Sequence, residues 1–485
     1  MKLSQLLKKC NIDYTEKDVE VHGIVFDSRK VKRNDIFVAI KGSLDGNDYV
    51  SQAVDNGACL IISEENIDCS VPKVIVENSR KMLSPLSKHF YGDCCDKLNI
   101  IMVTGTNGKT SITYILQSIL STSGINCAIM GTNGVLVGNR QLYYGLTTPD
   151  PVDMHYYFKV LYDMGVTHVI METSAHAIAL HKLDGITPKA IIYTNLTNEH
   201  LDYFHTMQEY SHTKVDYINS LDCIKIINID DTYSRYIVGD EVVSYGLINP
   251  SDTFAINIEN SIAGLKFCAN VMDNIINISS KLCGLYNVYN IMASITCAVC
   301  LNIDIPSIEK GVNNLLNIPG RFNKYLLDLN RIVIVDFAHT PDGFEKVLSE
   351  IKSFRSGRII TIFGCVGYSD SNKRKLMGEI ASKYSDEIIL TVDNINYQNF
   401  NIVNKDIKTN INVPVKEIFD RKVAIKYGFE QMKANDTLVI LGKGCETSNL
   451  INGVKVPHND IEEVEHNIEI QYNVKKGAGI EDIIV

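Results

Sequence analysis

Short runs of β-branched and aliphatic residues recur along this chain, and amphipathic segments separate them. This alternation is typical of parallel α/β units, in which a helix packs on the sheet after each strand. The clearest runs all finish in small or polar residues, at Gly105, Ser174, Leu196, His339, Gly364 and Gly442. Because ligands of open parallel sheets bind beyond the carboxyl ends of the strands, we expect the active site to be built from these strand ends.

Length and composition limit the classes of protein to consider. A chain of 485 residues is too long for one hydrophobic core and predicts about three domains. A net charge of −10 argues against a general nucleic-acid binder. The N-terminus is interrupted by Lys8 and Lys9 before any long apolar run, so we expect neither a signal peptide nor a membrane anchor. The thirteen cysteines do not include the two CxxC motifs of a typical zinc site, and they predict buried thiols in a cytoplasmic protein.

Three regions are interpreted from local pattern alone. GTNGKT, Gly105 to Thr110, follows a buried run and offers two glycines, a lysine and a hydroxyl at a predicted helix start, which predicts a phosphate-binding loop with Mg2+. GTNG returns at Gly131 to Gly134 without the lysine and threonine, so we interpret this second copy as a structural turn. The Asn-rich run from Asn394 to Asn412 is interpreted as a loop containing a weak strand.

A set of longer motifs spans the chain in a fixed order. The N-terminal part carries FDSRKVKRNDIFVAIKGSLDGNDYVSQAVDNGA, and the central part carries TGTNGKT, TTPDP, METSAHA, NLTNEHLDYF, YSHTK and GLYNVYN. GRF, VDFAHTPDGFEKVL, FGCVGYSDSNKRKLMGEIA and LGKGCE follow. Together they resemble the Mur ligase family throughout, and most closely its UDP-N-acetylmuramoyl-tripeptide synthetase branch, MurE.

The resemblance implies both architecture and reaction. It implies an α/β protein of three domains: a small UDP-binding domain over residues 1–97, a central P-loop-type ATPase domain with a mostly parallel sheet over 98–321, and a Rossmann-like domain over 322–485. The implied reaction activates the peptide carboxylate of UDP-MurNAc-L-Ala-D-Glu as an acyl phosphate, with ATP as phosphoryl donor, and an amino acid then displaces phosphate. This step belongs to peptidoglycan precursor synthesis. Small molecules are the only expected partners, with no nucleic acid or membrane, and we expect a monomer.

Five residues are predicted to carry the chemistry. Glu172 lies at the end of an apolar run, where a carboxylate is costly unless it is paired or bound to metal. Thr110 is the expected first Mg2+ ligand, and Lys109 is expected to neutralise the transferred phosphate. The resemblance implies that His200 lies beside the metal site. It also implies that Lys214, on pattern alone an exposed helical lysine, is carbamylated by CO2 and helps to hold a second Mg2+.

Further residues match the family's ligand-contacting positions. ATP is expected to contact every residue of the phosphate loop: Gly105, Thr106, Asn107, Gly108, Lys109 and Thr110. It is also expected to contact Asn287 with its adenine, Arg321 with a phosphate and Asp336 with its ribose. The nucleotide-sugar substrate is expected to contact Ser28 with its uridine and Thr147, Thr148 and Ser174 with its sugar-peptide part. Lys182 stands where the family often has an arginine, so the charge remains but bidentate geometry is lost.

The predicted amino-acid site departs from the family pattern. Members that add diaminopimelate carry Asp-Asn-Pro-Arg, whose arginine grips the distal carboxylate, and the matching segment here is Asp393, Asn394, Ile395 and Asn396. Asn396 is neutral and shorter, so it cannot form that bidentate contact. We therefore expect L-lysine or another diamino acid in preference to meso-diaminopimelate.

The same site is expected to draw on two other segments. Gly442 and Glu446 belong to a Gly-Lys-Gly-Cys-Glu motif in which Cys445 replaces the family's histidine. Glu446 can receive a distal ammonium group, and Arg374 can receive the α-carboxylate.

Two alternatives of other classes stay open. One is a Mur-ligase-like enzyme that joins a different acid and amine, in specialised metabolism or in folate-type polyglutamylation, although the DSRKV region favours a UDP substrate over folate. The other is a nucleotide-binding regulatory protein with an inactive centre. Retention of the five residues that carry the chemistry counts against it.

Overall fold

The computed structural model describes residues 1–472 apart from 17, 43, 139, 144 and 369. The contacts divide the described chain into two compact units. The first comprises Met1–Phe254, Asn270–Asn274 and Asn290–Gly311, and the second comprises the rest. This division does not test the three predicted domain ranges, 1–97, 98–321 and 322–485, which stay a prediction.

The N-terminal part of the first unit is a small α/β structure. Its four strands pair in parallel in chain order, and leucines of the first and third helices pack beneath them. The elements are α1 (Leu3–Lys9), β1 (Gly23–Val25), β2 (Asp35–Val38), α2 (Val50–Asp55), β3 (Leu60–Ser63), β4 (Lys73–Ile75) and α3 (Ser79–Phe90).

A larger sheet follows in the first unit. Its elements are β5 (Asn99–Thr104), α4 (Lys109–Thr122), β6 (Cys127–Gly131), β7 (Gly134–Val137), β8 (Arg140–Tyr143), α5 (Pro151–Asp163), β9 (His168–Glu172), α6 (Ala175–Ala179), β10 (Ala190–Tyr193), α7 (Leu201–Phe204), α8 (Met207–Asn219), β11 (Ile224–Asn228) and β12 (Val242–Gly246). The order is β12-β11-β10-β5-β9-β6-β7-β8, parallel from β12 to β6, with β7 and β8 antiparallel. These six parallel strands therefore direct their carboxyl ends to one edge of the sheet.

The chain then passes through elements whose residues are divided between the units. They are β13 (Thr253–Ser261), β14 (Gly264–Val271), β15 (Asn274–Ser280), α9 (Leu285–Cys300) and α10 (Ile305–Asn314). Short 3-10 helices occur at Ser28–Lys30, Gly46–Tyr49, Cys94–Lys97, Ser234–Tyr236, Asp328–Asn330 and Lys408–Asn410.

The second unit contains a six-stranded sheet of order β16-β17-β21-β18-β19-β20, in which only β16 is antiparallel to its neighbour, and a separate hairpin, β22-β23. The elements are β16 (Asn323–Leu326), β17 (Ile332–Asp336), α11 (Pro341–Phe354), β18 (Ile359–Phe363), α12 (Ser371–Tyr384), β19 (Glu387–Leu390), α13 (Phe400–Ile407), β20 (Val415–Glu417), α14 (Arg421–Gln431), β21 (Thr437–Leu441), β22 (Ser448–Ile451), β23 (Val454–Pro457) and α15 (Asp460–Tyr472).

The predicted α/β class is confirmed. All six predicted strands are parallel strands, and each ends one to three residues before the predicted end, because the small and polar residues there turn out of the sheet. The interpretation of Asn394 to Asn412 was wrong in one respect: the run contains α13 and, in place of a strand, only an isolated β-bridge between Asn396 and Ile451. The Asn399 side chain caps this helix by accepting from Asn401 N, and Val403 and Ile407 are buried at helical spacing.

Candidate active site

The phosphate loop predicted from GTNGKT connects β5 to α4. Gly105 has φ +139° and Gly108 has φ +90°, backbone conformations that favour glycine. Space is restricted as well. A Cβ on Gly105 would lie 1.9 Å from Thr194 Oγ1, and one on Gly108 would lie 2.5 Å from Asn290 Oδ1. Both glycines are therefore required by backbone conformation and by close packing.

Asn195, at the end of β10, holds this loop. Its carbonyl accepts from Thr106 N at 2.7 Å, and its side-chain oxygen accepts from Asn107 N at 3.1 Å. Lys109 lies across the loop and donates to the carbonyls of Gly105 at 2.9 Å and Thr106 at 2.7 Å. The predicted loop residues thus form one local unit, to which the lysine ammonium is hydrogen-bonded. The sequence reasoning missed Asn195, although it lies in the quoted NLTNEHLDYF motif.

Glu172, the last residue of β9, is only 1% exposed. Its Oε1 accepts from Thr110 Oγ1 at 3.0 Å and from Thr132 N at 2.9 Å, and its Oε2 accepts from Thr132 Oγ1 at 3.1 Å. A hydroxyl and a carboxylate thus lie side by side at the start of α4. Both are hard oxygen ligands of the kind Mg2+ prefers, so the predicted metal-binding pair fits the ion.

The second GTNG copy forms the turn between β6 and β7, as interpreted, with Gly131 paired to Gly134. It has a contact that the sequence reasoning missed, because its Thr132 binds Glu172. The sheet explains this proximity: β6 pairs with β9, and Met130 lies opposite Met171. The one signal in the sequence was the repetition itself.

The predicted sugar-peptide residues lie beside the same carboxylate. Thr148 Oγ1 donates to the Glu172 carbonyl at 2.9 Å, and Ser174 N donates to Thr148 Oγ1 at 3.1 Å. Thr147 Oγ1 lies 3.2 Å from Thr132 Oγ1. The structure therefore brings Thr147, Thr148 and Ser174 together with the predicted metal ligand.

Lys214 is buried on α8, contrary to the exposed lysine that its helical pattern alone favoured. Its ammonium nitrogen donates to Thr104 Oγ1 at 3.1 Å and to the Gly105 carbonyl at 3.3 Å. Burial holds the pKa of Lys214 well below its ordinary value; the charge of Lys109 lowers it further and Glu199 opposes the shift. The lowered pKa favours the neutral amine more than it would be favoured in an exposed lysine.

His200 lies near this lysine at the start of α7. Its ring centroid is 4.9 Å from that of His176, and its Nε2 is 3.8 Å from Glu199 Oε2. Burial lowers the pKa of His200, with Glu199 opposing and His176 adding to the shift. Among the residues that the structure describes, no three His, Cys, Asp or Glu side chains form a metal-binding group. A metal ion here would therefore need other oxygen ligands as well, such as hydroxyl, carbonyl, water, phosphate or modified-lysine oxygens.

A cavity of about 270 Å3 in the first unit contains the predicted Lys182. Phe26, Arg80 and Asp150 also line it, and Lys182 Nζ forms an ion pair with Asp150 Oδ1 at 2.7 Å. Ser28 is buried and donates to Gln52 Oε1 at 2.6 Å. The positive charge predicted for an acidic substrate group is present, and Asp150 orients it.

The three residues predicted for the rest of ATP lie in the second unit. Asp336, the last residue of β17, accepts from the backbone of Phe322 and of Ala338, both at 2.7 Å, and burial raises its pKa despite Arg321. The Arg321 guanidinium lies 4.6 Å from the centre of the Phe337 ring. Asn287 donates to the Cys283 carbonyl at 2.7 Å.

Four predicted amino-acid-site residues surround a lysine that the sequence reasoning missed. Lys443 is fully buried, with its ammonium 2.6 Å from Glu446 Oε2 and 3.5 Å from Asp393 Oδ1. Asn394 also donates to Glu446 Oε2, at 3.0 Å. Gly442 has φ +113°, and a Cβ there would lie 2.7 Å from Asp393 Oδ2. The Gly-Lys-Gly motif around Lys443 was the available signal.

Asn396 and Arg374 are held by other contacts. Asn396 has φ +50°, and its side-chain oxygen accepts from Gly453 N at 2.9 Å, which ties it to the turn of the β22-β23 hairpin. Arg374 is 2% exposed, and its guanidinium donates to Asp406, to Gln398 and to the Val366 carbonyl. Within the described part of the chain, Arg374 Nε has no hydrogen-bond partner, so an α-carboxylate would have to reach this buried nitrogen or displace one of the three partners.

None of the helices in the described residues combines the length and apolar character needed to cross a bilayer. Three family profiles match the sequence. They are the Mur ligase family catalytic domain at residues 20–91, the Mur ligase middle domain at residues 103–298, and the Mur ligase glutamate ligase domain at residues 320–444.

Whole proteins match as well. The chain is 35% identical to a UDP-N-acetylmuramoyl-L-alanyl-D-glutamate–2,6-diaminopimelate ligase of Caldanaerobacter subterraneus subsp. tengcongensis, over 96% of this chain and 98% of that protein. It is also 35% identical to the protein of the same name from Clostridium tetani, over 97% and 100%. A solved structure of a ligase of this name matches with a TM-score of 0.70 at 29% identity, over 97% of this chain and 100% of that one.

Proposed function

The chain belongs to the Mur ligase family and is therefore a ligase, and from this premise we propose that it joins UDP-MurNAc-L-Ala-D-Glu to a third amino acid with ATP. One contact carries the proposal. Thr110 Oγ1 lies 3.0 Å from Glu172 Oε1 at the opening of the phosphate loop. This pair meets the needs of an ATP-dependent reaction, because a phosphate cradle and hard oxygen ligands adjoin the threonines predicted to hold the acceptor.

The proposed reaction has two steps. The acceptor carboxylate takes the γ-phosphoryl group of ATP, which gives an acyl phosphate and ADP. The amine of the amino acid then attacks the acyl carbon, an amide bond forms and phosphate leaves. Lys109 offsets charge on the phosphoryl group, while Thr147, Thr148 and Ser174 orient the acceptor.

Thr110 and Glu172 are the residues that would hold Mg2+, and a carbamate on Lys214 would help to hold a second ion. The ions would supply charge neutralisation on the phosphates. The burial of Lys214 and its lowered pKa support the carbamate, because the neutral amine adds to CO2 and then releases a proton. His200 remains assigned to the surroundings of this site. Asn287, Arg321 and Asp336 remain assigned to the rest of ATP.

For the amino acid, we propose a diamino acid without a distal carboxylate, such as L-lysine. Two carboxylates, Asp393 and Glu446, face the single ammonium of Lys443, so an incoming cation is favoured over an incoming anion. Asn396 cannot supply the bidentate contact of an arginine. The names of the relatives favour 2,6-diaminopimelate instead.

The decisive experiment is ATP-dependent amide formation on UDP-MurNAc-L-Ala-D-Glu with L-lysine, L-ornithine and meso-diaminopimelate, followed by phosphate release and product mass. A preference for meso-diaminopimelate would overturn the amino-acid assignment and leave the ligase reaction intact. If no amino acid supports phosphate release, the proposed reaction itself is rejected.

A second candidate is a Mur-ligase-like paralogue that joins a different acid and amine. Asn396 and Cys445 favour it, because both depart from the family pattern at the amino-acid site. A thermal-shift panel of UDP-sugars distinguishes the two candidates, since the proposed enzyme should be stabilised by UDP-MurNAc peptides. A monomeric state and a cytoplasmic location remain predictions.

A further inference from the structure

The turn formed by the second GTNG copy has a role that phosphate chemistry does not explain. Thr132 donates twice to Glu172, from its backbone N to Oε1 and from its hydroxyl to Oε2. One residue therefore engages both oxygens of the carboxylate, and the third donor, Thr110, is itself a proposed Mg2+ ligand. If Thr110 turns towards an ion, Thr132 is left as the residue that fixes the plane of the carboxylate.

The direction of these hydrogen bonds is determined by chemistry. A threonine hydroxyl has one hydrogen, and the Thr132 hydroxyl gives it to Glu172 Oε2. The 3.2 Å contact between Thr132 Oγ1 and Thr147 Oγ1 must then be donated by Thr147. Thr147 thus fixes the rotation of the Thr132 hydroxyl, which points at the carboxylate.

Gly131 supplies the space for the same carboxylate. Its φ lies outside the left-handed range, so the backbone alone does not require glycine there. A Cβ at this position would lie 2.3 Å from Glu172 Oε1 and 2.8 Å from Glu172 Cδ. An alanine would therefore push the carboxylate away while leaving the backbone conformation allowed.

From these contacts we propose that Thr132 is a positioning residue, which holds the Glu172 carboxylate in the orientation that binds Mg2+, and that Gly131 keeps the space this orientation needs. The inference rests on the proposed function, because it takes Glu172 as a metal ligand. Groups that orient a metal ligand commonly change metal affinity or activity by about 10-fold to 100-fold when they are removed.

The test measures binding rather than turnover. Isothermal titration calorimetry measures the affinity of the protein for ADP at a series of Mg2+ concentrations. The readout is the Mg2+ concentration at which the ADP association constant reaches half of its maximum. Thr132→Val removes the hydroxyl hydrogen and keeps a similar shape, and Gly131→Ala displaces the carboxylate directly. Both should raise this concentration by about 10-fold to 100-fold. Thr132→Ser, which keeps the hydroxyl, should restore a value near that of the unmodified protein.

Matched controls separate positioning from general damage. Thr296→Val removes a buried hydroxyl that donates to the Met292 carbonyl, and Gly23→Ala brings a Cβ within 2.8 Å of a different carboxylate, that of Asp35. Both should leave the Mg2+ dependence unchanged. Thermal unfolding without ligand identifies any variant that fails to fold. If either Thr132→Val or Gly131→Ala fails to fold, the Mg2+ dependence of the other variant is the test of the positioning role.

The result also separates this inference from the proposed function. If Glu172→Gln weakens Mg2+-dependent binding while folded Thr132→Val and Gly131→Ala do not, the positioning role is rejected and the metal assignment stands. If Glu172→Gln itself leaves the Mg2+ dependence unchanged, the metal assignment in the proposed function is rejected.

Discussion

Lys214 Nζ lies 3.1 Å from Thr104 Oγ1, in the buried interior directly beneath the phosphate loop. The second hydrogen bond of this nitrogen goes to the Gly105 carbonyl, and no carboxylate accepts from it in the described part of the chain. Burial holds the pKa of Lys214 well below its ordinary value, and this favours the neutral amine that the proposed reaction with CO2 requires.

We expect Lys214→Ala to lower kcat by at least about 100-fold, because a proposed metal-holding group is lost. Formate or acetate should restore part of the activity by replacing the carbamate. Lys225→Ala is the matched control, since Lys225 is also buried but donates to the Val238 carbonyl away from the loop. Full activity of Lys214→Ala in CO2-depleted buffer would contradict the carbamate assignment.

Lys109→Ala should reduce ligation by about 100-fold to 1,000-fold, because one charge-assisted contact to the transferring phosphate is removed. Phosphate release with saturating substrates measures the effect. The exposed Lys189, at the start of β10, supplies the control substitution Lys189→Ala. Near-normal turnover of Lys109→Ala would remove the loop lysine from the mechanism.

Asn396→Arg should shift relative kcat/KM towards meso-diaminopimelate, but by less than the roughly tenfold to hundredfold expected of a good bidentate contact. The arginine would lose the bond to Gly453 N and would have to adopt φ near +50°, which disfavours most residues other than glycine and asparagine.

Combining Ile395→Pro with Asn396→Arg should increase the preference for meso-diaminopimelate by less than the family motif suggests. Proline favours an extended backbone in the preceding residue, whereas Asn394 has φ +43°. Asn396→Asp is the matched control, since it keeps an acceptor for Gly453 N and should disfavour a distal carboxylate further. A strong preference of the unmodified enzyme for meso-diaminopimelate would show that another residue grips that group.

His155 predicts a pH dependence of stability. Burial lowers the pKa of His155 to about 3, while an unfolded chain titrates near 6.5. Between these values the unfolded state binds a proton that the folded state does not, so stability falls as pH falls, by about 1.4 kcal/mol per pH unit once the pH is well below 6.5. Ser84 gives its hydroxyl hydrogen to the Asp184 carbonyl, so His155 Nε2 donates to Ser84 Oγ.

His155→Gln keeps a donor for Ser84 and removes the titration. Relative to this variant, the unmodified protein should lose about 2 kcal/mol more between pH 7 and pH 5. Urea unfolding followed by circular dichroism is suitable, because the chain has no tryptophan. The exposed His212 supplies the control His212→Gln. Equal pH slopes for the unmodified protein and His155→Gln would contradict the prediction.

Local pattern was sufficient for the six clearest strands, for the glycine turn of GTNGKT between a strand and a helix, and for the family. Hydrophobic runs of strand length and the glycines of GTNGKT act over a few residues, so they can be read without knowing the rest of the fold. Asn396 and Cys445 could also be recognised in the sequence as departures from the family pattern, because the motif residues around them fix the alignment.

Tertiary structure alone decided how distant residues act on one another. Thr132 reaches Glu172 because β6 pairs with β9, Lys214 is buried because α8 packs beneath the phosphate loop, and Asn396 is tied to a hairpin fifty-seven residues later. These contacts depend on strand order and on close packing between segments far apart in the chain. Local periodicity encodes neither the strand order nor this packing. A lysine on a helix is therefore predicted to be exposed until the packing around it is known.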